Sequence, residues 1–422
     1  MGISILHIDR QVADHPETRR LRKKIDAPVH LVDDAREVYA AVNAAPDPVS
    51  AGKDALFLTR NRGAFVRPCP GTRHYACCDY TILHIGSFCT MDCAYCILQS
   101  YFHPPVLTFF VNHEEMLAEL DAALAEKGPR RFGTGEFTDS LIWEPWTGLS
   151  RKLVSRFARQ DHAVLELKTK TVAVDGLANL DHRRRTALAW SVNTEAVIRA
   201  NERGTASLSA RLRAARTVSE WGYPVAFHFD PMVLYDGCEA EYRDVARRLF
   251  DAVPPENVLW ISLGTFRFMP DLKPMVRKRF PKSKIPFGEF IRGMDDKMRY
   301  FKPLRIDLYR TVAEAIWDVA PEVTVYFCME DETVWRESLG FFPEMPANLE
   351  SLPGEKIPPG PPLERGGTKG SPSFEEGGKE RTGLARMLDR AAVRVCGLKP
   401  GSESQPAEET PGERETTEGK DG

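Results

Sequence analysis

Apolar runs of strand length alternate with amphipathic stretches of helical spacing through the middle of this chain. The apolar runs cover residues 81–85, 131–134, 163–168, 187–192, 225–229, 258–263 and 323–327. Between them, residues 114–126, 208–220 and 241–250 repeat apolar positions every three or four residues. Alternation of this kind predicts an α/β fold with a parallel sheet wrapped by helices.

The two ends of the chain follow other patterns. Residues 1–75 predict a small N-terminal α/β lead-in, with a strand at 30–32 and a helix at 35–42. Residues 346–422 are rich in Pro, Gly, Glu, Ser and Thr and too poor in apolar residues to offset the ordering entropy, which predicts a disordered tail. Only residues 383–395 in that tail have the spacing of a short helix. The main domain is therefore expected at 76–345.

Composition narrows the class of protein. The chain has 422 residues, a net charge of −3 and 42% hydrophobic residues, enough to bury a full core. No apolar run approaches the roughly 20 residues needed to span a bilayer. Nine cysteines, an odd number without a secretory signal, argue against a disulfide framework and for a reducing compartment. We expect a soluble cytoplasmic protein with no membrane partner.

Three cysteines lie within eight residues, spaced Cys89-x3-Cys93-x2-Cys96. Three thiolates on one short loop can hold three irons of a 4Fe-4S cluster and leave the fourth iron open. A structural zinc site would normally need a second cysteine pair or histidines. Because His84 and His103 flank the loop, zinc remains an alternative.

This spacing, with the aromatic Tyr95 directly before the last cysteine, resembles the signature of the radical SAM superfamily. The resemblance implies a full or partial β/α (TIM-like) barrel. It also implies a 4Fe-4S cluster whose open iron binds S-adenosylmethionine, and a 5′-deoxyadenosyl radical formed with one electron from an external flavodoxin-type or ferredoxin-type donor. Barrel chemistry lies at the carboxyl ends of the strands, and the cysteine loop follows the first predicted barrel strand.

Polar residues at later strand ends complete the resemblance. Residues 133–136 read Gly-Thr-Gly-Glu and resemble the superfamily's Gly-Gly-Glu element, which receives the SAM ammonium group. Lys168 could pair with the SAM carboxylate, and side chains ending the fourth run could bond the ribose hydroxyls. We therefore expect a SAM site comprising Tyr95, Gly133, Gly135, Glu136, Lys168, Ser191 and Asn193.

Residues 89–99, 132–140, 190–205 and 221–224 resemble the spore photoproduct lyase family, often labelled DNA photolyases. Those enzymes reverse a methylene-bridged thymine dimer and use a cysteine just after the second strand to return a hydrogen atom. Residues 135–140 read Gly-Glu-Phe-Thr-Asp-Ser here, without cysteine. Either Cys238 or Cys328 replaces that thiol, or the substrate differs.

A basic segment bears on the nature of the substrate. Residues 273–305 hold eleven Lys and Arg against three Asp and Glu, with aromatics between them. This composition is typical of a surface that binds DNA, on which Arg299 and the aromatic Tyr300 and Phe301 are expected to face the nucleic acid. A solvated helix face is the alternative. A radical SAM enzyme with a non-DNA substrate, or a zinc-stabilised nucleic-acid-binding protein, also remains open. Cys69, Cys77 and Cys78 could ligate an auxiliary cluster and are assigned no role.

Overall fold

The computed structural model describes residues 2–343, apart from 70, 72–74, 77, 79 and 127–129. The predicted tail at 346–422, its helix at 383–395 and Cys77 lie outside the described residues. No described helix combines the length and the apolar character needed to cross a bilayer.

Eighteen strands and thirteen α-helices occur in the described residues. The strands are β1 Ile5–Asp9, β2 Val29–Val32, β3 Ala55–Thr59, β4 Val66–Pro68, β5 Thr81–Leu83, β6 Gly86–Ser87, β7 Asp92–Cys93, β8 Leu107–Phe110, β9 Arg130–Gly133, β10 Ala163–Thr169, β11 Thr186–Ser191, β12 Glu202–Arg203, β13 Val225–Met232, β14 Val258–Thr265, β15 Arg267–Phe268, β16 Phe290–Arg292, β17 Met298–Tyr300 and β18 Thr324–Phe327. The helices are α1 Pro16–Arg22, α2 Ala35–Asn43, α3 Pro48–Asp54, α4 Leu98–Tyr101, α5 His113–Ala125, α6 Glu144–Thr147, α7 Leu149–Phe157, α8 Glu195–Asn201, α9 Leu208–Glu220, α10 Cys238–Ala252, α11 Leu272–Arg279, α12 Lys302–Trp317 and α13 Glu332–Leu339.

The main sheet, here called the barrel sheet, has the order β18-β14-β13-β11-β10-β9-β5-β4. Every neighbouring pair from β5 to β18 is parallel, and only β4 at the edge is antiparallel. All seven predicted strands are present, and helices cover them as in a partial β/α barrel. The predicted fold class is therefore confirmed. Because the strands are parallel, their carboxyl ends meet at one edge of the barrel sheet, here called the carboxyl edge.

A second sheet, the N-terminal sheet, has the order β2-β1-β3-β8-β6. Its first three strands come from the predicted lead-in, but β8 and β6 come from residues on both sides of the cysteine motif. The cores of the two sheets are continuous, since Leu6 and Leu58 belong to the same cluster of buried side chains as Phe132 and Trp190. The domain boundary near residue 75 stays a prediction, and the motif region contributes strands to the N-terminal sheet.

Helix α9 illustrates how sequence pattern becomes structure. Leu208, Leu212 and Val218 are buried against the barrel sheet, and the Ser207 hydroxyl caps the helix by accepting a hydrogen bond from the Ala210 amide at 3.3 Å. The spacing of these residues places them on one face of the helix. The predicted bounds of this helix, 208–220, are confirmed.

Candidate active site

Residues 88–97, here called the motif loop, follow β5 and β6 at the carboxyl edge. Phe88 is fully buried with a φ of +70°, and its amide donates to the Phe137 carbonyl at 2.8 Å. Within the loop, Cys93 of β7 pairs antiparallel with Glu202 of β12. A positive φ is uncommon outside glycine, so these tertiary contacts hold the loop in its conformation.

The three motif cysteines are unpaired thiols with different exposures. Cys89 and Cys93 are buried, and Cys96 is partly exposed. Burial raises the pKa of Cys89 to about 12, with Asp139 adding to the effect. Burial also raises the pKa of Cys93, reinforced by Glu202. Both thiols are therefore neutral until a cation replaces the proton.

The motif cysteines fit an iron-sulfur cluster by the chemistry of their donors. Charge on Cys96 influences the pKa of both Cys89 and Cys93, so the three thiols lie near one another. Within the described residues, no three His, Cys, Asp or Glu side chains are grouped closely enough to hold a single metal ion. A cubane cluster takes each thiolate on a different iron. Three neighbouring thiols on one loop match that requirement.

Tyr95 belongs to the motif loop and is held by its hydroxyl group, which donates to the Glu202 carboxylate. That carboxylate also accepts from Arg211, and the Lys170 ammonium lies 5.8 Å from the centre of the Tyr95 ring. The side chain is thus locked by a buried network. Its expected contact with SAM stays a prediction.

Two glycines, Gly133 at the end of β9 and Gly135 just after it, allow a close approach of neighbouring groups. A Cβ on Gly133 would lie 1.9 Å from the Tyr80 hydroxyl oxygen, and one on Gly135 would lie 3.0 Å from the Lys168 Cβ. A side chain at Gly133 would force the Tyr80 ring away. The Gly-Thr-Gly-Glu element therefore has a steric requirement in this fold, beside the SAM role that the sequence predicts.

Four charged side chains from different strand ends surround the carboxyl edge. Arg267 pairs with Asp230 through Nη2 and Oδ2 at 3.1 Å. Burial raises the pKa of Glu136, and Lys168 opposes that rise. Burial would raise the pKa of Asp230 as well, but Arg267 outweighs it and the pKa is lowered. The structure thus brings together the predicted Glu136 and Lys168 and adds Asp230 and Arg267.

Asp230 and Arg267 were missed at the sequence level. Asp230 directly follows the fifth apolar run, so the strand-end rule that selected Lys168 could have selected it too. Arg267 lies past the end of β14 in the short strand β15, where no pattern marks it.

Ser191 and Asn193 are buried at the end of β11. The Asn193 amide nitrogen donates to the Pro231 carbonyl at 2.7 Å, and its oxygen accepts from the Tyr242 hydroxyl at 2.8 Å. The Ser191 carbonyl accepts from Arg211 at 2.8 Å. Asn193 therefore joins neighbouring elements through its side chain. The ribose contacts expected for both residues stay predictions.

A buried polar network crosses the inside of the barrel and was not predicted. His228 hydrogen-bonds Glu166 at 2.5 Å through Nε2 and Ser262 at 2.6 Å through Nδ1. Burial lowers the pKa of His228 to about 4. Burial alone would raise the pKa of Glu166, but Arg131 and His228 lower it to about 2. The sequence feature that could have revealed this network is the presence of polar residues within otherwise apolar strands.

The structure separates the two predicted hydrogen-donor cysteines. Cys328 follows β18 and hydrogen-bonds Cys78. The charges of Arg267 and Asp230 at the carboxyl edge act on the pKa of this thiol. Backbone hydrogen bonds fix this pairing, since the Met329 amide donates to the Ala76 carbonyl at 3.3 Å.

Cys78 also accepts a hydrogen bond from Arg131 at 2.8 Å. The bond with Cys328 and the nearby Arg131 lower the pKa of Cys78 to about 6, while the same bond raises the pKa of Cys328. Cys238 instead begins α10, buried beside Tyr235 and Tyr242.

The basic segment is partly structural. Arg279, Arg299 and Arg305 are nearly buried and pair with Asp92, Asp295 and Glu330 at 3.0, 2.8 and 3.1 Å. Tyr300 is only 4% exposed and stacks on Phe290. The expectation that Arg299 and Tyr300 face nucleic acid is wrong, because both side chains complete the core beneath the antiparallel sheet β15-β17-β16.

Other parts of the same segment do reach solvent. Arg277, Lys278, Lys282 and Lys284 are exposed on α11 and the turn that follows it. Phe287 and Phe301 are 61% and 55% exposed. Cationic and aromatic groups of the basic segment are therefore available on the surface, and the expected Phe301 is among them.

Comparison with known proteins agrees with this architecture. A sequence model of the family described as spore photoproduct lyase matches residues 74–309. Spore photoproduct lyase of Bacillus subtilis strain 168 is 31% identical over 218 residues, which is 50% of this chain and 62% of that protein. Spore photoproduct lyase of Clostridium acetobutylicum is 26% identical over 254 residues, covering 60% of this chain and 71% of that protein.

Solved structures share the fold. A spore photoproduct lyase variant with bound AdoMet and dinucleoside spore photoproduct superposes with a TM-score of 0.68 at 21% identity, covering 78% of this chain and 99% of that chain. Another variant gives a TM-score of 0.69 over the same shares. Since the family match spans more than half of the residues, this chain belongs to the spore photoproduct lyase family.

Proposed function

We propose that this protein is a radical SAM enzyme of the spore photoproduct lyase type that acts on DNA lesions. One observation carries the proposal. The amide of Phe88, next to Cys89, donates to the carbonyl of Phe137, next to Glu136, at 2.8 Å. This bond places the three-thiol loop beside the charged carboxyl edge, in a chain of the spore photoproduct lyase family.

Different residues would bind the cluster and SAM. Cys89, Cys93 and Cys96 would hold a 4Fe-4S cluster, and Glu136 and Lys168 offer opposite charges to the ammonium and carboxylate groups of SAM. When bound and reduced by an external donor, the cluster and SAM would supply the 5′-deoxyadenosyl radical.

Cys328 is the stronger of the two hydrogen-donor candidates. A hydrogen atom can be given only by a protonated thiol, and the raised pKa of Cys328 keeps its S–H bond intact at neutral pH. The thiol lies near Asp230 and Arg267, whereas Cys238 lies among tyrosines on α10. Transfer of the hydrogen atom to a product carbon radical would leave a sulfur-centred radical on Cys328. That reaction would take over the role of the cysteine that residues 135–140 lack.

The DNA surface would be formed by the exposed cations Arg277, Lys278, Lys282 and Lys284, with Phe287 beside them. Exposed Lys and Arg contact phosphates, and an exposed aromatic ring can stack on an unpaired base. Arg277 lies 5.6 Å from the centre of the Phe287 ring, so cation and ring form one patch.

Metal and SAM analysis of anaerobically purified protein tests the proposal. We expect iron with sulfide and reductant-dependent formation of 5′-deoxyadenosine, both lost in Cys89→Ala, Cys93→Ala and Cys96→Ala. Cys238→Ala is the control outside the motif, and it should keep both the iron and the SAM cleavage. Stoichiometric zinc without iron would contradict the proposal and favour a zinc-stabilised nucleic-acid-binding protein. SAM cleavage without any binding to DNA at low salt would instead point to a non-DNA substrate.

A further inference from the structure

Lys53 is a buried cation that the N-terminal sheet's helix α3 places against the motif loop. It is only 4% exposed. Its ammonium donates to the carbonyls of Cys89 at 3.0 Å and Met91 at 2.5 Å, and lies 4.1 Å from the centre of the Phe88 ring. These contacts span the loop on both sides of the first motif cysteine.

The helix that carries Lys53 is fixed in place. A Cβ on Gly52 would lie 1.7 Å from the Pro105 carbonyl oxygen, so only glycine permits this approach. Asp47 caps the start of α3 by accepting from the Val49 amide at 3.2 Å, and its carboxylate pairs with Arg279 at 3.1 Å. Lys53 therefore meets the loop from a rigid support.

Several cations lie around this part of the loop, where the Asp139 carboxylate also acts on Cys89. Asp92, inside the motif, lies 3.9 Å from Lys53, 3.0 Å from Arg279 and 3.7 Å from Arg203. One buried carboxylate is thus surrounded by three cations, of which one pairs elsewhere with Asp47. Backbone carbonyls offset much of the cost of burying Lys53 but leave its full charge in place.

We infer that Lys53 is a positioning residue that holds the first ligand of the motif loop and makes a bound cluster easier to reduce. This inference rests on the proposed function. A cluster with three thiolates gains one negative charge on reduction, and a nearby fixed cation lowers the free energy of the reduced form. The interaction is strengthened by burial, because the effective dielectric constant there is lower than in water.

Redox titration of the reconstituted protein without SAM, followed by electron paramagnetic resonance, tests this inference. Lys53→Met keeps the length of the side chain and removes the charge, Lys53→Arg keeps the charge, and Lys24→Met removes an exposed lysine of the same N-terminal region. We expect Lys53→Met to lower the equilibrium constant for reduction about tenfold, a shift of about 59 mV for one electron. Lys53→Arg should restore most of it, and Lys24→Met should match the wild type.

The wild-type control distinguishes failure of the proposed function from failure of the inference about Lys53. A wild-type protein without iron and sulfide would defeat the proposed function, whereas a loaded wild type and a loaded Lys53→Met with equal potentials would overturn only this inference. If Lys53→Met assembles no cluster, the reduction potential of Asp92→Asn is measured instead. Removing that negative charge should make reduction easier, and an unchanged potential would overturn the role of local charge.

Discussion

Arg211 and Glu202 form an ion pair in which both side chains are completely buried. Arg211 belongs to α9, and Glu202 belongs to β12, which pairs with the motif loop at Cys93. The same carboxylate accepts the hydroxyl of Tyr95. One buried pair thus connects a barrel helix to the segment that carries the predicted cluster ligands.

Replacing Arg211 with Met should destabilise the fold by about 3–5 kcal/mol, because it leaves the Glu202 carboxylate buried without its cation. Urea unfolding of the wild type and the variant measures the difference. Arg213→Met, on the exposed face of the same helix, is the matched control and should change the free energy of unfolding by about 0.5 kcal/mol or less. A loss below about 1 kcal/mol in Arg211→Met would show that Glu202 finds another partner.

Glu136→Ala should retain the cluster and weaken SAM binding. Losing one hydrogen bond between charged groups costs about 1.5–3 kcal/mol. Titration of SAM, followed by spectral changes of the cluster, measures the affinity. Glu239→Ala, at an exposed position of α10, is the control. Equal affinity in wild type and Glu136→Ala would remove Glu136 from the SAM site.

Cys328→Ala should lower the yield of repaired thymine from a synthetic dinucleotide spore photoproduct and increase side products, while SAM cleavage continues. The reason is that the product radical would lose its hydrogen source. Cys238→Ala serves as the comparison and should behave as wild type, since that buried thiol lies at the start of α10, where its amide donates to the Tyr235 carbonyl. Clean repair by Cys328→Ala would assign the hydrogen donor to another group.

Replacing both Arg277 and Lys278 with Ala should weaken binding to duplex DNA and flatten its salt dependence. Each lost phosphate contact lowers the slope of log affinity against log salt by about 0.9. Fluorescence anisotropy at several salt concentrations measures the slope. Lys23→Ala with Lys24→Ala, exposed in the N-terminal region, controls for net charge. An unchanged slope would place the DNA surface elsewhere.

His113→Phe should make the protein less sensitive to acid. His113 is 3% exposed, neither ring nitrogen has a partner among the described residues, and burial lowers its pKa to about 4 from 6.5. Between pH 6.5 and 4 the unfolded imidazole binds a proton and the folded one does not. The free energy of unfolding therefore decreases as the pH is lowered through that window, by up to about 1.4 kcal/mol per pH unit.

Urea unfolding at several pH values between 7 and 4 measures this dependence. The His113→Phe curve should be flatter than that of the wild type. His30→Gln, at an exposed position, should follow the wild-type curve. Parallel curves for His113→Phe and wild type would mean that the buried imidazole binds a proton over the same pH range as the imidazole of the unfolded chain.

The barrel strands and the cysteine loop could be located from the sequence alone. Strand and helix periods are local properties, so apolar runs such as 187–192 and the helix at 208–220 could be located without tertiary information. The motif cysteines were selected by their spacing and Glu136 by the Gly-Thr-Gly-Glu element, and both follow strand ends, which meet at one edge in a parallel sheet.

Which polar side chains are buried, and which groups they contact, could be seen only in the folded structure. Lys53 and Arg211 look like solvated surface residues in the sequence, yet both side chains are buried, and Lys53 contacts a loop 36 residues further along the chain. Arg299 appeared to be a DNA contact because composition counts charges and cannot show that Asp295 and Glu330 lie beside it. The pairing of Cys328 with Cys78 likewise depends on how the last barrel strand returns to the segment before the first. Contacts between distant residues depend on how the chain packs, and local pattern carries no record of that packing.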